Sequence, residues 1–204
     1  GGETAEMPGT YSKNKFDIAG FAIGIVDKKN IIDGTKIKKN DLILGVPSSG
    51  LHSNGYSLLR YVLSKNKINV NNNKFLKNNL LIPTKIYVKE ILKLLNKNLI
   101  NGCANITGGG IIDNISRVIP NGLTASIDLN KIKTKKIFSW LKKKGISDNE
   151  MIKTFNCGIG FCLIANPKYV NKISKIFSKN FKPYVIGKIT KSSNKIKFSG
   201  KIDW

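Results

Sequence analysis

CANITGGGIIDNISRVI, residues 103–119, changes its hydrophobic rhythm halfway along. CANI is a short apolar run of strand length, and TGGG makes a tight turn. Ile111, Ile115 and Val118 then recur at helical spacing until Pro120, Asn121 and Gly122 end the segment. A strand that feeds a helix through a glycine turn is the unit of a mixed architecture, and the neighbouring sequence repeats it.

Downstream, LTASIDL reads as a strand and KKIFSWLKKKG as a helix with Gly145 past its end. SDNEMIKTF is a short helix with a Ser/Asp cap, and CGIGFCLIA is a buried strand. PKYVNKISKIFSK is a helix with proline in its first turn, followed by strands PYVIGKI and NKIKFSGKI. Upstream, IPTKIYVKEILKLLNKN is an amphipathic helix that begins at Pro83 and Thr84. The Asn/Lys-rich residues 66–79 read as a surface connection. Ser53 or Asn54 caps a helix that contains Tyr56, Leu59 and Val62, and DLILGV (residues 41–46) is a buried strand. FDIAGFAIGIV, residues 16–26, alternates as one or two strands with a glycine bend. The Asp33-Gly34 turn sets an expected boundary between residues 1–33 and 34–204. The expected fold class is α+β (mixed α/β).

The 204 residues are 41% hydrophobic and 23% charged, a globular mixture whose longest apolar runs fall far short of a membrane span. No basic flank precedes an apolar stretch at the start, so no signal peptide is expected. A formal charge of +23 suggests a nucleic-acid partner. Its make-up argues otherwise. Only Arg60 and Arg117 among the 35 basic residues are arginine, the side chain that reads bases and phosphates bidentately. Lysine, asparagine and isoleucine share A/T-rich codons, so the charge is expected to be a solvated lysine surface, with neither nucleic acid nor membrane as partner. Cys103, Cys157 and Cys162 have no histidine nearby. They are expected as free thiols, the last two on opposite faces of one strand.

Three loops could carry chemistry. GGET opens the chain, and a carboxylate beside glycines can hold Mg²⁺ that bridges phosphates. PSSGLHSNG gathers three serines, an asparagine and the sole histidine, His52, before a helix. TGGG orders three glycines at about 1 kcal/mol each relative to alanine, and close approach of a phosphate is the natural compensation. No Gly-Lys-Ser/Thr follows it, so it is not a P-loop.

In this order and spacing, GGETAEMPG, SSGLHSNGYSLLR, PTKIYV, ITGGG and TFNCGIGF resemble the C-terminal part of the phosphoribosylformylglycinamidine cyclo-ligase (aminoimidazole ribonucleotide synthetase) family. The resemblance covers essentially the whole chain. It implies a sandwich-like α/β C-terminal domain, preceded by the tail of an N-terminal ATP-binding domain whose earlier part is missing here. That N-terminal domain forms a homodimer in a cytoplasmic enzyme. The implied reaction closes formylglycinamidine ribonucleotide to aminoimidazole ribonucleotide in purine biosynthesis. ATP phosphorylates the formamide oxygen, and the amidine nitrogen then displaces phosphate. By the same resemblance Glu3 holds Mg²⁺ and ATP, with Thr4 beside it. Ser48, Ser49, Asn54, Thr107, Gly108, Gly109 and Gly110 face the substrate, and His52 is left to transfer a proton. This sequence departs from the family at Asn105, where histidine is common, and at Lys85, where relatives have arginine. The rivals are a selenophosphate synthetase or thiamine-monophosphate kinase of the same superfamily, or a basic RNA-binding module. AEMPG and SGLHSNGYS favour the cyclo-ligase.

Overall fold

The structure, a computed structural model, describes Gly20 and residues 22–204. The chain divides into two units between Ile31 and Ile32, and the second holds every strand and α-helix given below. In chain order these are β1 (Leu42–Pro47), α1 (Tyr56–Lys65), α2 (Lys74–Leu80), α3 (Val88–Asn96), β2 (Gly102–Asn105), α4 (Gly110–Ser116) and β3 (Leu123–Asp128). There follow α5 (Lys136–Lys143), α6 (Asp148–Thr154), β4 (Ile159–Ala165), α7 (Val170–Ser174), β5 (Tyr184–Lys191) and β6 (Ile196–Ser199).

The strands form one sheet in the order β2-β4-β1-β5-β3-β6, antiparallel except for the parallel β3–β6 pair. Alternation along β1 and β4 feeds two cores, because successive side chains leave opposite faces. Ile43, Cys162 and Ile164 join Leu59, Leu76, Ile111, Ile115, Phe138 and Met151 on one side. Leu44, Val46, Leu163 and Ala165 meet Ile91 and Leu94 of α3 and Ile173 of α7 on the other. Helices on both faces explain why β4 reads as a nearly unbroken apolar run. The mixed α/β class is as expected.

Several local expectations are corrected. Residues 66–79 are more than a connection: they contain all but the last residue of α2, whose Leu76 is fully buried. Asn73 starts α2 by accepting the Leu76 N–H, so an asparagine in a polar run is a helix cap rather than a loop filler. Neither Ser53 nor Asn54 caps α1, where Gly55 takes the N-cap in a left-handed conformation. The third helix begins at Val88 rather than Pro83; Val88 and Leu92 lie on its exposed side, and Ile86 is exposed just before it. Strand β4 starts at Ile159; Cys157 precedes it in a turn, so Cys157 and Cys162 end in the same core instead of on opposite faces. Both are free and fully buried, and burial pushes their thiols far above the ordinary cysteine value. Of the expected strand at 16–26, residues 16–19 and 21 lie outside the described residues, and residues 22–26 form no regular element.

Candidate active site

The sheet register brings the distant loops to one edge. Pro47 at the end of β1 pairs with Ile159 at the start of β4, and Asn105 at the end of β2 pairs with Phe161 two residues later. The segments 48–55, 106–110 and 156–158 therefore gather where three strands end or begin. Asn54 and Gly108 face one another: a Cβ built on Gly108 would have the Asn54 Oδ1 as its nearest neighbour, at 3.9 Å.

Each glycine-bearing loop is shaped by a buried asparagine that sequence reasoning missed. Asn114, on the inner face of α4, donates from its Nδ2 to the carbonyls of Thr107 (3.4 Å), Gly108 (3.1 Å) and Gly110 (2.8 Å). Its Oδ1 accepts the Thr107 hydroxyl at 3.2 Å. Asn114 thus occupies the carbonyl side of the turn. Among the described residues, neither the Gly108 nor the Gly109 N–H has a partner in the protein. Asn156 does the same for the serine loop. It donates to the Gly50 and Leu51 carbonyls at 2.9 and 3.0 Å and accepts the Gly158 N–H at 2.8 Å. The available signals were a polar residue on the apolar stripe Ile111–Ile115 and the Asn inside TFNCGIGF.

The serine loop is further tied to the segment before α3. The Ser49 hydroxyl donates to the Pro83 carbonyl (2.7 Å), Ser53 and Thr84 share a hydrogen bond (3.1 Å), and the Tyr87 hydroxyl donates to the Pro47 carbonyl (2.8 Å). Lys85 bridges the Ile86 carbonyl and Glu90 and lies over the Tyr87 and Phe181 rings, so its ammonium is engaged within the fold. Asn105 is exposed and, with Ile86, Val88, Leu92 and Phe161, lines an apolar groove of about 350 Å³.

The residues expected to act stand in unequal positions. Asn54, Thr107, Gly108 and Gly109 are at least partly accessible, whereas Ser48 and Gly110 are buried. The Ser48 hydroxyl is enclosed without a hydrogen-bond partner among the described residues. Glu3 and Thr4 lie outside the described residues. Among those described, no three of His, Cys, Asp and Glu cluster as a metal site. His52 is only 5% exposed, and its Nε2 accepts the Ser49 N–H at 3.1 Å. Burial, reinforced by the Lys135 charge, pushes its pKa down from 6.5 to about 4. Proton transfer by this ring, expected from sequence, meets a neutral imidazole whose acceptor nitrogen is already occupied.

The depressed pKa has a stability consequence. The unfolded chain protonates His52 near 6.5 and the folded one only near 4, so its contribution is complete above pH 6.5 and lost as pH falls toward 4. The loss should reach about 3 kcal/mol near pH 4. Urea unfolding of the chain and of His52→Gln should therefore converge by that amount between pH 7 and pH 4.

Comparison with known proteins follows the same lines. The family "AIR synthase related protein, C-terminal domain" matches residues 38–198. The chain belongs to that family. Among its AIR synthase relatives, the phosphoribosylformylglycinamidine cyclo-ligase of Clostridium tetani is 48% identical over 197 residues, covering 96% of this chain and 59% of its own length. The chain spans between about half and three fifths of the curated relatives it matches. Two solved structures share the AIR synthase fold. Thiamine-monophosphate kinase from Stenotrophomonas maltophilia has a TM-score of 0.57 at 15% identity, over 87% of this chain and 56% of its own. T. maritima PurL complexed with FGAR has 0.50 at 13%, over 80% of this chain and 26% of its own. The resemblance read from five motifs is borne out. No helix among the described residues is long and apolar enough to cross a membrane.

Proposed function

We propose that this chain supplies the substrate-facing domain of a phosphoribosylformylglycinamidine cyclo-ligase, which closes formylglycinamidine ribonucleotide to aminoimidazole ribonucleotide. The observation that carries the reading is the TGGG turn. Asn114 holds its carbonyls, the N–H groups of Gly108 and Gly109 have no partner among the described residues, and exposed Gly108 stands beside Asn54. Unpartnered N–H groups at a glycine turn suit a phosphate, and a ribonucleotide carries one. The carboxamide of Asn54 offers both a donor and an acceptor to an amide- or amidine-bearing group. The identity to cyclo-ligases over nearly the whole chain supports the same choice, as does the FGAR complex of the structural neighbour PurL.

ATP would supply the phosphoryl group that makes the formamide oxygen a leaving group. Glu3 and Thr4 are the residues we assign to ATP and Mg²⁺, within residues 1–33 as the tail of an ATP-binding domain. This chain's share is positioning: the Gly108 and Gly109 N–H groups fix the phosphate end, and Asn54 the reacting end. A cytoplasmic homodimer that joins through the N-terminal domain belongs to the same reading.

The test is turnover. A full-length protein of its relatives' size should convert formylglycinamidine ribonucleotide and ATP into aminoimidazole ribonucleotide, ADP and phosphate. The 204-residue chain alone should release no ADP. Phosphoryl transfer to thiamine monophosphate by the full-length protein, without ring closure, would overturn the assignment.

A further inference from the structure

His52 is the single histidine, and its backbone sits at φ 59°, in the left-handed region that a non-glycine residue enters at a cost. Something must hold it there. The ring packs tilted against Tyr87, centroids 6.1 Å apart, and both lie over Gly160. A Cβ at residue 160 would come within 2.5 Å of the His52 Cε1 and collide with the Tyr87 hydroxyl. The sheet thus leaves a gap in β4 that the imidazole fills. From there Nε2 accepts the Ser49 N–H, while Tyr87 holds the Pro47 carbonyl and Ser49 reaches Pro83. The ring stands at the centre of a bracket around residues 47–52.

We infer that His52 is a positioning residue: an acceptor that fixes the Ser49 main chain, and through it the loop carrying Asn54, rather than a group that moves a proton. A proton carrier needs a free nitrogen within reach of the reacting atom. This nitrogen is committed to a main-chain donor inside the fold. An acceptor of an N–H bond carries no proton itself, so the neutral ring bears its proton on Nδ1. Protonation would replace the acceptor with a second donor and break the bracket. Lys135 is the cation that acts against that event.

The effect on catalysis rests on the proposed cyclo-ligase reading; the state of the ring does not. With one histidine, the ¹⁵N-labelled chain gives a single imidazole spin system. It should show the Nδ1–H tautomer, with no titration between pH 8 and 5.5. An Nε2–H tautomer, or a midpoint near 6.5, would overturn the inference. In the full-length enzyme His52→Ala should raise the KM for formylglycinamidine ribonucleotide about tenfold, the size of one lost hydrogen bond, with a smaller change in kcat. His52→Gln, whose amide oxygen can replace Nε2 as acceptor, should recover most of that loss. A kcat equally abolished in His52→Ala and His52→Gln, at unchanged KM, would mean a proton carrier. If the parent closes no ring, the proposed function fails, and the imidazole spectrum alone decides this inference.

Discussion

Replacing Gly110 with valine should lower the melting temperature by about 10 °C. Gly110 begins α4 at φ 60°, a conformation that strongly disfavours β-branched side chains. A Cβ there would run into the main-chain carbonyl of Ile152, in α6. Both helices bury their inner faces in the same core, Ile111 and Ile115 from one and Met151 and Ile152 from the other. The clash falls on backbone, which cannot rotate away, so the helices must separate. Strain and overpacking together amount to about 3–5 kcal/mol, and each kcal/mol lowers the Tm of a domain this size by about 2–4 °C. Circular dichroism melting of the valine variant measures it. A shift of less than 2–3 °C would show that α4 and α6 can part without loss.

Gly109 is an intermediate case. Its φ is 86°, and a Cβ added there would stand 2.5 Å from the Asp113 carboxylate, so substitution tests backbone strain as much as binding. TGGG therefore reads as one loop but contains three different requirements. The sequence announces that glycines are needed and gives the strand before them and the helix after. It does not say which glycine serves the fold, because that depends on Ile152, more than forty residues away along the chain.

The same distinction separates what was readable from what was not. Short, nearly unbroken apolar runs placed β1 and β4, since both lie inside the sheet and bury side chains on both faces. Asn73 and Leu76 were hidden because Asn/Lys composition resembles a solvated loop, while one fully buried leucine and one side-chain cap suffice to anchor a helix. For the site, the motifs were visible but their division of labour was not. Ser49 and His52 look like ligand groups in sequence; in space they bond to Pro83 and to each other. Asn114 and Asn156 look like helix and strand filler, yet six of their hydrogen bonds shape both loops.

Gly108→Val should leave the fold intact and abolish substrate binding. Gly108 is exposed, and the nearest atom to an added Cβ is the Asn54 Oδ1 at 3.9 Å, an ordinary contact distance. Its backbone is outside the left-handed region, so no strain argument requires glycine. The carbonyl that Asn114 holds would be undisturbed. The melting temperature should therefore stay within about 2 °C of the parent, since exposed substitutions usually change stability by about 0.5 kcal/mol or less. An isopropyl group at this position stands between the Gly108 and Gly109 N–H groups and anything that approaches from the Asn54 side. Two charge-assisted hydrogen bonds to a phosphate, at about 1.5–3 kcal/mol each, would be lost, weakening affinity a hundredfold or more. Calorimetric titration of the full-length protein with formylglycinamidine ribonucleotide reads that loss, and Gly108→Ala should fall between valine and the parent. The two glycine variants then separate the roles: Gly110→Val acts on melting, Gly108→Val on binding alone. Unchanged affinity in a folded Gly108→Val protein would mean that the turn meets no phosphate, and that the substrate lies elsewhere along the edge formed by residues 48–55 and 156–158.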